Sequence, residues 1–235
     1  MEQRDYWNSV SEKKEFTTPF HAEAFSKYVK KDALIVDVGC GYGRTLNELT
    51  GLGYSNLIGL DFSQGMIDRG KKAFPSLDLR IKTDDSIDLP ESSVDAVILF
   101  AVLTCIVDNE DQKKLVSEIY RVLKPGGILY VNDFILNIDE RNLNRYKQYE
   151  EKYGCYGVFE LPEGAVVRHH SEDWIKSLLN DFDQKECERL ICIMLSKILP
   201  RTSFVNGVLS MGQQSIGLFF VFLTLYFTSK EKVMH

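Results

Sequence analysis

Basic residues are in the minority in this chain. Its 235 residues include 28 lysines and arginines against 34 aspartates and glutamates, which gives a formal net charge of −6. Nucleic-acid binding needs a basic surface that releases phosphate counterions, and anionic membranes attract basic segments. Neither partner is therefore expected, and a small or neutral ligand suits this charge balance better.

Cysteine and histidine are few and scattered. The five cysteines include no C-x-x-C pair, and the chain has four histidines. This pattern argues against a disulfide framework and a zinc knuckle, so no metal site is expected. The first residues, MEQRD, are charged and lack the apolar stretch of a secretory signal. Together these features predict a cytoplasmic protein.

Long apolar runs are also missing, with one exception. Residues 202–228 carry no charge, and the run IGLFFVFLTLYF at 216–227 is almost wholly apolar. A membrane span needs about 20 apolar residues, whereas asparagine, glutamine and glycine interrupt the longer segment. The length of the run and its β-branched and aromatic residues favour a buried terminal strand over a membrane contact.

Strand-length apolar runs alternate with helical patterns from residue 33 onward. The sequence predicts strands at 33–38, 56–61, 77–82, 94–100 and 127–134, and helices at 44–52, 63–73, 110–123 and 171–180. Such alternation is typical of βαβ crossovers, and hence of an α/β fold with a doubly wound, mostly parallel sheet. The length is consistent with one domain.

A glycine-rich turn follows the first predicted strand. Gly39, Gly41 and Gly43 alternate in VDVGCGYGR, which lets the backbone turn sharply and approach a ligand. A dinucleotide site needs G-x-G-x-x-G, but here the third glycine position falls on Arg44. Asp37 would also repel a diphosphate. The pattern therefore favours a cationic ligand and counts against a nicotinamide-dependent oxidoreductase.

A carboxylate, Asp61, closes the second predicted strand, 22 positions after Gly39. At this place in nucleoside-binding α/β folds, a carboxylate can accept both hydroxyls of a ribose. The alternative is that Asp61 only caps the helix that begins near Ser63. Both interpretations remain open at this stage.

Four motifs follow one another in the chain: VDVGCGYGR, GLDFSQGM, TDDSIDLPESSVDAVILF and EIYRVLKPGGILYV. Over about residues 33–133 they resemble the class I S-adenosylmethionine-dependent methyltransferases, above all those of ubiquinone and menaquinone biosynthesis. The resemblance implies a Rossmann-like, seven-stranded sheet whose last strand, here 216–228, is antiparallel. It also implies S-adenosylmethionine as cofactor and methyl transfer to a small-molecule acceptor by in-line displacement.

The resemblance assigns roles around the glycine turn. Gly39, Gly41 and Gly43 would line the methionine and ribose part of the cofactor. Asp37 would act on its amino group, directly or through water, and Asp61 would take the ribose hydroxyls.

The adenine side is implied in the same way. Phe62 would stack on the ring, and the family pattern D-A-x-x-L-P matches DSIDLP. Asp85 would accept from the adenine amino group and the amide of Ser86 would meet the ring, with Asp84 as a register alternative.

The residues that would face the methyl acceptor are assigned less specifically. Phe100 and Ala101, at the end of the fourth strand, would lie beside the methionine end through their backbone. Asp133, which ends the fifth strand, could position or deprotonate an acceptor, or only cap the next segment. His169 could be a general base with a pKa near neutral, or an ordinary surface histidine.

We interpret residues 1–235 as a single methyltransferase domain. It comprises an N-terminal helical lid (1–32), a cofactor-binding core (33–134), a cap insertion (137–170) and a C-terminal helix and strands (171–235). Two alternatives are a non-catalytic S-adenosylmethionine-binding protein and a membrane-associated methyltransferase acting on a quinone or lipid. The expected partner is a small-molecule acceptor, with a homodimer left open.

Overall fold

The computed structural model describes residues 3–83, 85–194 and 218–229, with side-chain positions for 3–83, 85–185 and 224–229. The strands are β1 Ile35–Val38, β2 Leu57–Asp61, β3 Asp78–Ile81, β4 Val94–Phe100, β5 Leu123–Phe134, β6 Val158–Glu160, β7 Val166–Arg168, β8 Phe182–Met194 and β9 Leu218–Ser229. The helices are α1 Gln3–Val10, α2 Ala22–Tyr28, α3 Arg44–Gly51, α4 Gln64–Ala73, α5 Asn109–Val122, α6 Glu140–Tyr153 and α7 Glu172–Leu178, with a 3₁₀ turn at Leu103–Cys105.

Seven strands form one sheet in the order β3-β2-β1-β4-β5-β9-β8. The first five are parallel, whereas β9 is antiparallel to both β5 and β8. In the register of β5 and β9, Ile128 lies opposite Thr228 and Phe134 opposite Phe222. The predicted Rossmann-like sheet with an antiparallel last strand is therefore confirmed, although the first two residues of the predicted strand, 216 and 217, lie outside the described ranges.

Apolar side chains on both faces hold the sheet between two helical layers. Every residue of β1 is buried, as is the stretch Val97–Leu99 of β4, which explains why these strands are almost continuously apolar. One core cluster includes residues of α5 and α7, and the other includes residues of α2, α3 and α4. Within the described ranges, no helix combines the length and the apolar character that a membrane span requires.

The join between α5 and β5 differs from the prediction. The sequence predicted a helix that ends at 123 and a strand from 127, but β5 already pairs at Leu123, opposite Val94. The register then shifts, so that the next pair is Ala96 with Ile128. Residues 124–127 thus form an irregularity inside the strand. Proline has no backbone N–H, and at this irregularity no ladder hydrogen bond requires one.

The chain between β5 and α7 forms a separate cap. It contains α6 and the antiparallel hairpin of β6 and β7, and the sequence did not predict this hairpin. Helix α1 packs against the cap through a set of buried side chains that we call the roof cluster: Tyr6, Tyr146, Phe159, Ala165 and Val167. The N-terminal segment and the cap therefore meet on one side of the sheet.

Candidate active site

The glycine turn between β1 and α3 has a left-handed backbone at each of its three glycines. The φ angles of Gly39, Gly41 and Gly43 are 76°, 55° and 85°, a region that other residues rarely adopt. The N–H groups of Gly39 and Cys40 both donate to the carbonyl of Leu60, at 2.7 and 3.1 Å. These bonds join the turn to the end of β2.

Asp61 contacts this turn directly. Its Oδ2 accepts the N–H of Gly41 and its Oδ1 accepts the N–H of Ser63, both at 2.8 Å. A carboxylate group has about four acceptor positions, so acceptor capacity remains for a ligand hydroxyl beside the backbone N–H groups that Asp61 accepts. Ser63 is itself the cap of α4, because its hydroxyl accepts the N–H of Met66. A capping role is therefore not needed to explain Asp61.

Asp37 is a second acid in the same place, and it is only 2% exposed. Burial, and after it the charge of Asp61, raise the pKa of its carboxyl group to about 7, while Arg44 opposes the shift. Burial also raises the pKa of Asp61 itself, while the backbone N–H groups that it accepts lower it. Two adjacent buried carboxyl groups favour a cationic ligand, which would compensate their charge.

The adenine-side candidates have a more open environment. Phe62 is half-buried next to Asp61, whereas Asp85 and Ser86 are exposed. The latter two line a shallow surface groove shared with side chains of α5: Glu110, Lys113, Lys114, Ser117 and Glu118. Their loop is attached to α5 because the N–H of Ile87 donates to Glu118 at 2.9 Å. Asp84, the register alternative, lies outside the described residues.

The segment that follows β4 lies against the glycine turn, because a Cβ added to Gly39 would be 2.4 Å from the side chain of Val102. The ring of Phe100 packs between Phe20 and Tyr130. Ala101 has a left-handed φ of 55° and its N–H donates to the carbonyl of Asn132 at 2.7 Å. Such strain in a residue with a Cβ is frequent at functional sites.

Asp133 is buried and supports the 3₁₀ turn that follows β4. Its Oδ1 accepts the N–H of Thr104 at 3.1 Å and that of Phe134 at 2.8 Å. Burial raises the pKa of this carboxyl group to about 7, although backbone N–H groups of the turn lower it. The same turn carries Cys105, a partly buried thiol whose pKa burial and Asp133 raise to about 12.

His169 lies inside the cap and is only 3% exposed. Its Nδ1 is 2.6 Å from the hydroxyl of Tyr146, which also accepts the N–H of Asn137 at 3.2 Å. The hydroxyl proton is then left to bond Nδ1, so the neutral ring carries its own proton on Nε2. Burial and Arg145 lower the pKa of His169 well below 6.5. Neither the expected near-neutral pKa nor a surface position is found, and the ring is suited to donate a hydrogen bond.

An N-terminal strap, residues 3–20, covers the glycine turn. Asn8 Oδ1 accepts from the hydroxyl of Ser63 at 2.8 Å and from the N–H of Gly65 at 3.1 Å. The ring of Phe16 stacks on Tyr42 at 5.3 Å, and a Cβ added to Gly41 would lie 2.6 Å from that ring. The strap therefore closes the side of the turn on which Gly41 lacks a side chain.

Arg69, on α4, attaches the strap to this helix. Its guanidinium donates to the carbonyls of Ser11 and Lys14 at 2.8 and 2.6 Å, and to Glu15 at 2.6 Å. Nothing in the sequence indicated a role for Asn8, Phe16 or Arg69, because their contacts join residues that are far apart along the chain. Across the described ranges, no group of three or more histidine, cysteine or acidic side chains could hold a metal ion.

Comparison with known proteins identifies methyltransferases as relatives of this chain. A sterol 24-C-methyltransferase of Yarrowia lipolytica is 28% identical over 166 residues, which cover 68% of this chain and 42% of that protein. A ubiquinone/menaquinone biosynthesis C-methyltransferase of Campylobacter jejuni is 31% identical over 115 residues, 46% of this chain and 48% of that protein. The matched part of the chain thus spans less than half the length of either relative.

Solved structures and a family profile extend the comparison. The crystal structure of an S-adenosylmethionine-dependent methyltransferase from Methanosarcina mazei has the same fold, with a TM-score of 0.75 at 21% identity, covering 92% of this chain and 100% of that one. The profile of the methyltransferase domain family matches residues 36–131, from β1 into β5. Residues 36–131 of this chain are therefore similar to the methyltransferase domain family, and the chain shares the fold of an S-adenosylmethionine-dependent methyltransferase.

Proposed function

We propose that this protein transfers a methyl group from S-adenosylmethionine to a small-molecule acceptor by in-line displacement. The observation that carries the proposal is the pair of buried acids, Asp37 and Asp61, beneath a glycine turn with a left-handed backbone. A nucleoside that also bears positive charge fits both acids, because Asp61 can accept its hydroxyls and Asp37 can pair with its cationic group.

The residues present fit the cofactor at both positions. Asp61 would accept the ribose hydroxyls with the acceptor capacity that its backbone hydrogen bonds leave. Asp37 would hold the amino group, because a buried carboxyl group with a raised pKa gains most from a cation. Gly39, Gly41 and Gly43 would line the methionine and ribose part through their backbone, because the positions of their missing side chains are filled by Val102, Phe16 and Leu79.

The remaining cofactor contacts follow from chain position. Phe62 would stack on the adenine, and Asp85 with the amide of Ser86 would meet its polar edge. The backbone of Phe100 and Ala101 would border the methionine end, next to the glycine turn. When bound, the cofactor supplies a methyl group already activated on a sulfonium, so the protein has mainly to align the acceptor.

On the acceptor side we propose two residues that handle or orient the reacting group. Asp133, with its pKa raised to about 7, could take a proton from an acceptor and also holds the 3₁₀ turn in place. His169 would act as a neutral hydrogen-bond donor through Nε2, because Nδ1 is occupied by Tyr146. We also propose a reducing, cytoplasmic setting, which the free thiols of Cys40, Cys105 and Cys155 suit.

Calorimetry with S-adenosylhomocysteine, the demethylated product, tests the binding step. We expect it to bind, NAD not to bind, and Asp61→Ala to weaken binding more than tenfold, since two charge-assisted hydrogen bonds contribute about 1.5–3 kcal/mol each. Asp95→Asn is the matched control, because Asp95 lies at the opposite end of the sheet and pairs with Lys124. Unchanged affinity in Asp61→Ala would remove the ribose assignment.

A second experiment separates an enzyme from a non-catalytic binding protein. The purified protein is incubated with methyl-labelled S-adenosylmethionine and pools of small metabolites, and products carrying the label are sought. Transfer of label supports the proposed reaction. Tight cofactor binding without transfer to any pool would favour the non-catalytic alternative.

A further inference from the structure

A guanidinium packs against the roof cluster with two of its donor groups unsatisfied, although Tyr146 and the charge of Asp139 act on it. The guanidinium of Arg145, on α6, lies 3.5 Å above the ring centre of Phe159. Its Nε and Nη2 are sealed from solvent, and neither has a hydrogen-bond partner among the residues described. An arginine side chain cannot lose its proton in a protein, so these donors remain charged and unsatisfied.

The carboxylates closest in sequence have other partners. Asp139 caps α6 by accepting the N–H of Asn142, and Glu160 is bonded to Lys152 and Tyr153. Arg141, one turn away on α6, adds positive charge and lowers the pKa of both Arg145 and His169. The local potential therefore attracts an anion.

Other buried polar atoms in the same region also lack partners in the described part of the chain. They come from α1 and from the start of the cap: Gln3 Oε1, Tyr6 Oη, Asn137 Oδ1 and Asn142 Oδ1. Buried unsatisfied groups are few in native proteins, and a local concentration of them indicates a place where a ligand or water completes the hydrogen bonding. Three of these atoms are amide oxygens, which need a hydrogen-bond donor such as water or a ligand hydroxyl, whereas the hydroxyl of Tyr6 can donate to an anion. Because the donors of Arg145 are sealed from solvent, α1 and the cap would have to separate to admit a ligand.

His169 connects this region to the acceptor side of the active site. Its ring stacks on Phe134 at 5.2 Å with an interplanar angle of 5°, and Phe134 directly follows Asp133. It also contacts Phe159 edge-to-face at 4.9 Å. A molecule that reaches the end of β5 thus has an aromatic wall, a neutral donor and a guanidinium on the cap side.

We propose that Arg145 binds an anionic oxygen group, a carboxylate or phosphate, of the methyl acceptor, with the N–H of His169 as a second donor. The inference rests on the proposed function and narrows its substrate class to acidic molecules with an apolar or aromatic body. Guanidinium groups match both anions because they offer two parallel N–H donors.

Binding of simple probes to the protein saturated with S-adenosylhomocysteine tests this proposal. Benzoate and phenyl phosphate carry the two anions on an aromatic ring, benzamide is the neutral counterpart, and inorganic phosphate lacks the ring. We expect one of the two aromatic anions to bind more tightly than benzamide and than inorganic phosphate, which also tells carboxylate from phosphate.

Variants of Arg145 then test whether the anion binds at this residue. Arg145→Met should weaken binding of the preferred anion by about tenfold or more, and Arg145→Lys should restore part of it. Lys147→Met is the matched control, because it removes an exposed cation from the same helix and should change nothing. Arg145→Lys retains the charge, so it remains informative if Arg145→Met fails to fold.

Three results would overturn the proposal: equal binding of benzamide and the anions, equal binding of inorganic phosphate, or unchanged anion affinity in Arg145→Met. Absence of anion binding while S-adenosylhomocysteine still binds would also overturn it, without affecting the proposed function. Loss of S-adenosylhomocysteine binding in the unmodified protein would instead refute the proposed function itself.

Discussion

Replacement of Asp37 by asparagine should stabilise the protein while abolishing its binding site for a cation. Burial raises the pKa of this carboxyl group from the ordinary value of 3.8 to about 7. Between these values the folded protein holds a proton that the unfolded chain has released, so stability falls as the pH rises through this window. Above pH 7 the full penalty is present, about 4 kcal/mol at 1.36 kcal/mol for each pH unit.

Asparagine has nearly the same shape but no charge, so the variant should avoid this penalty. A buried amide that finds incomplete hydrogen bonding costs about 1–2 kcal/mol, which leaves a net gain of about 2–3 kcal/mol at pH 8. The stability difference between the variant and the parent should grow by about 2 kcal/mol between pH 5.5 and 8. Asp37 titrates in that interval, whereas asparagine does not.

Urea unfolding of both proteins at a series of pH values measures the difference directly. Calorimetry with S-adenosylhomocysteine on the same samples should show that the stabilised variant binds at least tenfold more weakly, since the amino group loses its counter-charge. A stability difference that does not change with pH, or a variant less stable than the parent at pH 8, would refute the reasoning.

Two further predictions concern the strap and the acceptor side. Arg69→Ala removes three hydrogen bonds to the strap and should speed release of S-adenosylhomocysteine about tenfold in stopped-flow measurements. Arg80→Ala, which removes an exposed ion pair with Asp78 on β3, should leave that rate unchanged; similar rates in both variants would show that the strap does not retain the ligand. If Asp133 takes a proton, kcat/KM should rise with pH through about 7 and then level off. Asp133→Asn should lose this rise and keep its affinity for S-adenosylhomocysteine, whereas an unaltered pH profile would exclude the role.

The sheet was predictable because its strands are buried on both faces. Continuous apolar runs and short glycine-rich connections defined β1, β2, β4 and most of β5, and the uncharged run near the end of the chain indicated β9. Strand β8 was not placed, since its sequence FDQKECERLICIM mixes charged and apolar residues without a clear period. The hairpin of β6 and β7 has strands of three residues each, which is too short for alternation to be visible.

The candidate site was predictable where position along the chain alone determines chemistry. Asp37 and Asp61 end neighbouring parallel strands, so they must share one edge of the sheet. The environment of His169 was not predictable, because it depends on Tyr146, Phe159 and Arg145, which the cap brings together from different elements. The strap contacts were hidden for the same reason: Arg69 bonds mainly to backbone carbonyls, which carry no sequence signal.

The order of strands has a consequence for how the chain is made. Among the described strands, β8 pairs only with β9, and β9 lies between β8 and β5 although it follows both in the chain. Until β9 has been synthesised, β8 lacks this partner and the apolar edge of β5 is open to any other extended segment. Nascent chains stalled before residue 218 are accordingly expected to depend on chaperones to avoid aggregation.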